Sequence, residues 1–422
     1  MPKHSWYKRR SYPHFDWPMS YVQACKLVTD PHIVATHAFL PFISWNIDIQ
    51  RYDVDNRRMR VKTRPIACAS HSDAHIFAYY HSLLSKRYEE VIRNCGIHDS
   101  VLAYRRFEGG KCNIHFAKEA FQQIKARKNC SVIALDIEGF FDNLDHLLLK
   151  KSWSKLIGEE RLPSDHYSVY KAITRYSIVN REELYKEFGI GRRRAKNYFG
   201  PICSPSQFRS IVRGNGLIKS HDCAKGIPQG SPISATLANI YLLEFDRIIV
   251  EASSAANAVY RRYSDDIILI CCSEHAQYLE NLIVTELSNV ELVISQSKTA
   301  RTIFSVDSTG NQTTEKPIQY LGFTFDGKQI LIRSNAIAKY LRRVKSSIRS
   351  AKRAARKANS SKIHREKLYS NYSHLGNRNY ISYVKRAYRV MESDSIKKQH
   401  KRHWNYLNSS ILKAEKELEL GE

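Results

Sequence analysis

Long apolar runs are missing from this chain. No stretch of 18 uncharged apolar residues occurs in its 422 residues, so no transmembrane helix is expected. The start, Met1-Pro-Lys-His-Ser-Trp-Tyr-Lys-Arg-Arg10, is basic and aromatic and lacks the apolar core of a signal peptide. Cys-x-x-Cys spacing is missing too. The nine cysteines are scattered, and the one close pair, Cys271 and Cys272, is adjacent. An odd count without metal-ligand spacing excludes a zinc finger and points to free thiols in a reducing cytoplasm. There is no internal repeat and no long low-complexity linker. Acids are scarce: 41 Asp and Glu face 67 Lys and Arg, a formal charge of +26. A field of that sign implies a polyanionic partner. The deficit is uneven. Leu341 to His403 holds 19 Lys and Arg against Glu366, Glu392 and Asp394, a net of +16. A solvated helix face does not account for such a run, because its self-repulsion is costly without an anion.

Two adjacent carboxylates, Asp265 and Asp266, fall in the run Val259-Tyr-Arg-Arg-Tyr-Ser-Asp-Asp-Ile-Ile-Leu-Ile270. Short apolar, β-branched stretches flank them, which predicts a hairpin whose tight turn lifts the acids to the end of a sheet. Alone, an acidic turn is more often just a solvated turn. Three further segments carry the chemistry. In Ser131-Val-Ile-Ala-Leu-Asp-Ile-Glu-Gly-Phe-Phe-Asp142, an apolar strand from Val132 to Leu135 delivers Asp136 at its end. In Gly226-Ile-Pro-Gln-Gly-Ser-Pro-Ile233, a loop runs into Ile233, Leu237, Ile240 and Tyr241 at helical spacing. Lys298 follows, and then Gln319-Tyr-Leu-Gly-Phe-Thr-Phe325. After that turn, Ile337, Tyr340, Leu341, Val344 and Ile348 predict one amphipathic helix and Tyr380, Ile381, Val384, Tyr388 and Met391 a second.

Strand acid, Pro-Gln-Gly loop, double-acid hairpin, lysine and Leu-Gly-Phe turn stand in the order of the reverse transcriptase palm. The chain resembles that family from about residue 50 to about residue 330. The resemblance implies an α+β right-hand polymerase with fingers, a palm sheet carrying the active site, and a helical thumb. Residues 1–335 would form fingers and palm, with a basic, aromatic arm over 1–60 and a basic insertion over 151–225; residues 336–422 would form the thumb. The arm's rings and bases (Trp6, Tyr7, Arg9, Arg10, Tyr12, Phe15, Trp17) suit either stacking on single-stranded nucleic acid or packing across the fingers. The insertion, with Gly191-Arg-Arg-Arg-Ala-Lys196, reads as helical and RNA-facing.

The resemblance also implies site residues. Asp136, Asp265 and Asp266 would hold two Mg²⁺ ions, roughly 3.5–4 Å apart in such sites, with the backbone carbonyl of Ile137 as a further ligand. Lys298 would protonate the leaving group. Arg64 and Arg105 would hold the triphosphate of a dNTP substrate. Gln229 and Gly230 would lie under the nucleotide, and Phe141, five residues after Asp136, would exclude a 2′-hydroxyl and so favour DNA synthesis. Tyr320, Leu321, Gly322 and Phe323 would grip the primer. Arg342, Arg343, Lys345, Arg349, Lys352 and Arg353 would track the backbone of an RNA–DNA hybrid.

Tyr12-Pro-His-Phe-Asp16, Ser72-Asp-Ala-His-Ile76, Ala103-Tyr-Arg105, Ser373-His-Leu-Gly-Asn-Arg378 and Tyr380-Ile-Ser-Tyr-Val-Lys385 resemble bacterial defence-associated reverse transcriptases of the unknown-group class, most of all the type 2 systems. This implies a cytoplasmic bacterial enzyme that copies an associated noncoding RNA into concatemeric cDNA. A retron-like or type 9-like enzyme, an untemplated protein-primed polymerase of abortive infection, and a catalytically silent RNA-binding scaffold are the alternatives. No spaced carboxylate cluster of a ribonuclease H domain and no His- and Cys-bearing endonuclease domain is expected.

Overall fold

The computed structural model describes residues 6–53, 58–191 and 198–420. Its strands are β1 (Phe42–Asp53), β2 (Arg58–Cys68), β3 (Cys130–Asp136), β4 (Ser177–Asn180), β5 (Ile218–Ser220), β6 (Val259–Tyr263), β7 (Asp266–Cys271), β8 (Ala300–Val306), β9 (Gln312–Thr313), β10 (Ile318–Tyr320), β11 (Phe323–Phe325) and β12 (Ile330–Ile332). They form three sheets, ordered β6-β7-β3-β8-β9, β2-β1-β4-β5 and β10-β11-β12.

The five-stranded sheet is the frame. Strands β3 and β7 pair antiparallel from Ser131↔Cys271 to Asp136↔Asp266. Both are apolar nearly throughout because both faces of the sheet are covered. On one face Ile133, Leu135, Ile267, Leu269 and Cys271 join the largest core, with helices Ser234–Tyr241 and His71–Asn94. On the other, Val132, Ile268 and Ile270 meet helix Asn113–Arg127 and Phe323 and Phe325 of β11. The period of two thus sorts one apolar run into two cores.

Strands β1 and β2 form a long antiparallel ribbon, from Ile43↔Cys68 to Asp53↔Arg58. Ile43, Trp45, Ile47 and Ile49 alternate with Ser44, Asn46 and Asp48, the strand period. The expected boundary of an arm at residue 60 therefore falls inside a strand. The arm proper, up to about Trp17, packs on the body. Trp6 and His14 are buried, and the Asp16 carboxylate accepts hydrogen bonds from the backbone of His71 (2.9 Å) and Ser72 (2.8 Å) at the start of helix His71–Asn94. The insertion over 151–225 is not wholly helical. Strand β4 pairs parallel with β1, β5 pairs with β4, and Val179, Leu184, Ile202 and Val212 close a small core with Ile43. The arginine-rich stretch 192–197 lies outside the described residues.

The C-terminal part is helical: Ser334–Lys357, Glu366–Tyr372, Tyr380–Met391, Asp394–Gln399 and His403–Glu419. Tyr340, Val344, Ile348, Leu407 and Ile411 make a core of their own. Val384, Ala387, Met391 and Ile396 instead join the core under the main sheet. Among the described residues no helix is long and apolar enough to cross a membrane.

Candidate active site

Pairing of β3 with β7 sets Asp136 directly opposite Asp266. Strands β6 and β7 are joined by the two-residue loop Ser264–Asp265, closed by Tyr263↔Asp266. Ser264 has φ 62°, an unfavourable value for a residue with a Cβ. Three bonds hold it there. Its Oγ meets the Tyr104 hydroxyl at 2.7 Å, its carbonyl accepts from Arg262 Nη1 at 3.2 Å, and the carbonyl of the next residue, Asp265, accepts from Ile137 N at 3.0 Å. Ser295 N donates to Asp136 O and Glu138 N to Val293 O, both at 2.8 Å. Neither of these bonds uses the Ile137 carbonyl.

Beneath the turn lies a buried polar network. Arg262 and Asp246 form an ion pair with both side chains wholly inaccessible to solvent. Tyr260 donates to the same carboxylate at 2.7 Å, Arg262 Nη1 reaches Asn239 Oδ1 at 3.3 Å, and Asn239 Nδ2 donates to Ala103 O at 3.0 Å. Sequence reasoning missed Arg262 and Asp246 and drew nothing from Asn239.

Burial and the neighbouring carboxylates of Asp265 and Asp136 push the Asp266 carboxyl up to about 7, against the opposing pull of Lys298 and Arg333. Lys298 forms an ion pair with Asp136. The donors gathered here are carboxylate oxygens and a backbone carbonyl, which suit a hard divalent cation, and their mutual repulsion is the kind a cation relieves. Among the described residues no three His, Cys, Asp or Glu side chains are grouped so as to hold a metal ion, and the acids that face each other here are the pair Asp136 and Asp266. An open carboxylate pair fits Mg²⁺, which takes further oxygens from water and substrate phosphates.

The other expected residues fall into two groups. Lys298, Tyr320, Leu321 and Gly322 line one groove with Asp136 and Asp266, joined by Arg333, which sequence reasoning missed. The turn between β10 and β11 has both loop residues at positive φ, Leu321 at 47° and Gly322 at 93°. Asn113 Nδ2 donates to Leu321 O (3.1 Å) and Arg333 N to Gly322 O (3.0 Å); Tyr320 and Phe323 are buried beneath. On the other side, Gln229 Nε2 donates to Asp142 Oδ1 at 3.0 Å, and Ala67 N donates to Gln229 O at 2.8 Å. A Cβ on Gly230, at φ 115°, would stand 2.7 Å from Ala67 O, so this loop docks on β2 only as glycine. Phe141 is half-buried, edge-on to Tyr104 at 6.3 Å. Arg64 is exposed on β2, close enough to Tyr104 to act on its hydroxyl electrostatically.

Two expected residues are engaged elsewhere. Arg105, 5% exposed, grips Glu89 with Nε (2.7 Å) and Nη2 (2.8 Å), donates to the His98 and Val101 carbonyls, and lies over Phe107. Four of its five N–H groups are engaged within the protein, which leaves little of it for a triphosphate. Lys352, 17% exposed, pairs with Glu417 at 2.6 Å and is withdrawn from the basic face. Arg342, Arg343, Lys345, Arg349 and Arg353 remain exposed on helix Ser334–Lys357, with no ion pair among the described residues.

A family model described as reverse transcriptase (RNA-dependent DNA polymerase) matches residues 58–325, which contain the acids, the loop and the Leu-Gly-Phe turn. The chain belongs to the reverse transcriptase family. Polymerases of this family generally use divalent metal ions and deoxynucleoside triphosphates. Solved structures similar to it include apo telomerase from Candida tropicalis truncated from its C-terminal domain, at 11% identity and TM-score 0.44, covering 75% of this chain and 61% of that one. Telomerase from Candida albicans with a TWJ fragment of telomeric RNA matches at 12% identity and TM-score 0.42, covering 92% and 58%. The chain spans about three-fifths of the length of these telomerase chains. A search of curated proteins found no match. In this reverse transcriptase the main sheet is the palm.

Proposed function

We propose that this reverse transcriptase makes DNA on an RNA template at the Asp136, Asp265 and Asp266 cluster. The observation that carries the reading is the register Asp136↔Asp266, which puts acids from two strands side by side next to the Asp265 turn, within the matched family segment. Asp136 and Asp265 would hold two Mg²⁺ ions, with Asp266 completing the acid cluster and the Ile137 carbonyl on the nucleotide side. Bound there, such ions supply Lewis-acid activation of a 3′-hydroxyl and stabilise charge on the leaving oxygen.

The chain's own residues do the rest. Arg64 attracts the triphosphate, now without Arg105. Phe141, backed by Tyr104, closes the space a 2′-hydroxyl needs, so deoxynucleotides are preferred. Gln229, fixed by Asp142, and Gly230, seated on β2, support the nucleotide and template. Lys298, paired with Asp136 here, would give a proton to the departing pyrophosphate. The Tyr320–Phe323 turn, clamped by Asn113 and Arg333, positions the 3′-end; a displacement of about 1 Å at such a point can cost on the order of a hundredfold in rate. Residues 1–335 are read as fingers and palm and 336–422 as a basic thumb, whose exposed Arg342, Arg343, Lys345, Arg349 and Arg353 follow the hybrid backbone by shape and charge.

The finer reading is a bacterial antiphage enzyme, cytoplasmic, that copies an associated noncoding RNA repeatedly into concatemeric cDNA. It rests on the sequence resemblance to the type 2 systems. The test is to purify the chain from cells carrying its native locus, and to sequence the bound RNA and the DNA made with dNTPs. Tandem copies of one RNA segment are expected. A single copy joined to its RNA would move the enzyme to a retron, and homopolymeric or random DNA to an untemplated polymerase. Bound RNA without DNA under any condition would leave a scaffold.

A further inference from the structure

We propose that the cleft between helix His71–Asn94, the segment Tyr104–Arg106 and helix Ser234–Tyr241 is a second anion site, which binds a phosphoryl group apart from the catalytic acids. Charge is the first observation. Lys86, Arg93 and Arg106 line the cleft, are exposed, and form no ion pair among the described residues. The one carboxylate on its wall, Glu89, is neutralised by the two-pronged grip of Arg105. The cleft is therefore a cationic rim without a counter-ion.

Its interior is the second observation. His81 Nδ1 lies 2.5 Å from Thr236 Oγ1 and 3.2 Å from Ser85 Oγ, so hydroxyls and an imidazole face the space the cations surround. Tyr88, at 2% exposure, closes the inner wall, with its hydroxyl shut off from solvent. A phosphoryl group, with several oxygens and up to two charges, matches three cations and several hydroxyl donors better than a carboxylate does. The cleft's volume is about 270 Å³.

The cleft shares walls with the machinery of the turn. Tyr104 lines it and bonds Ser264 Oγ at 2.7 Å; Asn239 lines it and is bonded by Arg262, which also holds Ser264 O. A bound phosphoryl group thus bears on the two residues that fix the catalytic hairpin.

Trp6 forms part of the wall and is the reporter. The full-length protein is titrated in EDTA with pyrophosphate, with GTP, and with a single-stranded RNA 10-mer, following tryptophan fluorescence. A change that disappears in Trp6→Phe is expected from at least one probe. Response to pyrophosphate and GTP assigns a free nucleotide phosphate, and response to RNA alone assigns an RNA phosphate. In either case Arg93→Glu with Arg106→Glu should weaken binding on the order of tenfold or more, as loss of a charge-assisted contact does. No response to any probe, a response that survives Trp6→Phe, or an affinity unchanged by the charge reversals would overturn the proposal.

Discussion

Arg262 Nη2 lies 2.5 Å from Asp246 Oδ2, with both side chains at zero exposure, directly under the turn that presents Asp265. An arginine there is not chosen for net stability, since a buried ion pair barely repays its desolvation. What it provides is geometry: its third contact is the Ser264 carbonyl. Removing one partner leaves the other charge buried alone. Arg262→Met should destabilise the fold by about 3–5 kcal/mol in urea denaturation. The double variant Arg262→Met/Asp246→Leu should recover much of that stability but little polymerase activity, because Ser264 still lacks its donor. Equal recovery of both would show that the pair merely fills the core.

Asp265→Asn and Asp266→Asn should each bring primer extension on an RNA template to background. The urea midpoint in EDTA should hold or rise, because each change removes one carboxylate from the crowded cluster in which burial, Asp265 and Asp136 push Asp266 up to about 7. Activity retained in both variants would displace the acids from the centre of the reaction.

Gly230→Ala should be damaging far beyond its size. The new Cβ meets Ala67 O at 2.7 Å, at a φ of 115° that alanine disfavours, so the loop must leave β2 or the strand must bend. The strain is on the order of 1–3 kcal/mol. Its main readout is a raised KM for dNTP as Gln229 moves. An unchanged KM would mean that the loop does not touch the nucleotide.

The arm makes stability depend on pH. His14 Nδ1 accepts from Phe15 N at 2.9 Å and Nε2 faces Cys68 O at 3.1 Å, so the neutral ring is fully paired and a second proton has no acceptor. Burial, the larger cause, holds its pKa near 4, against 6.5 when free. The unfolded chain therefore binds the extra proton first. The contribution is complete above about pH 6.5 and is lost as pH falls toward 4, at about 1.4 kcal/mol per pH unit. Replacing His14 by Gln should flatten the fall of the thermal midpoint between those values. A parallel curve in the variant would assign the fall to other groups.

The exposed cations of helix Ser334–Lys357 should act collectively. Replacing Arg342, Lys345 and Arg349 by Ala should reduce the slope of log affinity for an RNA–DNA hybrid against log salt by about 2–3, at 0.7–0.9 per phosphate contact. Lys352→Ala should leave the slope alone and loosen the C-terminal helices, since its partner is Glu417. The opposite result would place Lys352 on the nucleic acid.

The contrast between Arg342 and Lys352 shows where the sequence is legible. Periodicity marks the helix and its wet face, and it marked β3, β7 and the turn that joins β6 to β7, because those elements are shaped by their own residues. It does not show which cation on that face meets a carboxylate 65 residues away. The engagement of Arg105 was hidden for the same reason: its partner Glu89 lies on another element. Arg262, two residues before the turn, reads as an ordinary polar strand position until Asp246 is brought under it. The β1–β2 ribbon is a different case. The alternation of Ile43, Trp45, Ile47 and Ile49 was present in the sequence, hidden only by the bases and rings around it.

Arg333 joins two parts of the molecule that are usually considered separately. Its amide is bonded to Gly322 in the Leu-Gly-Phe turn, its side chain lines the groove of the acids, and the long basic helix begins at the next residue. If helix Ser334–Lys357 follows the hybrid as proposed, it is a lever with its fulcrum at the Leu-Gly-Phe turn. A duplex that fitted badly along its far arm would then bear on that turn, and mispaired product would be felt at the point of synthesis several base pairs after it was made.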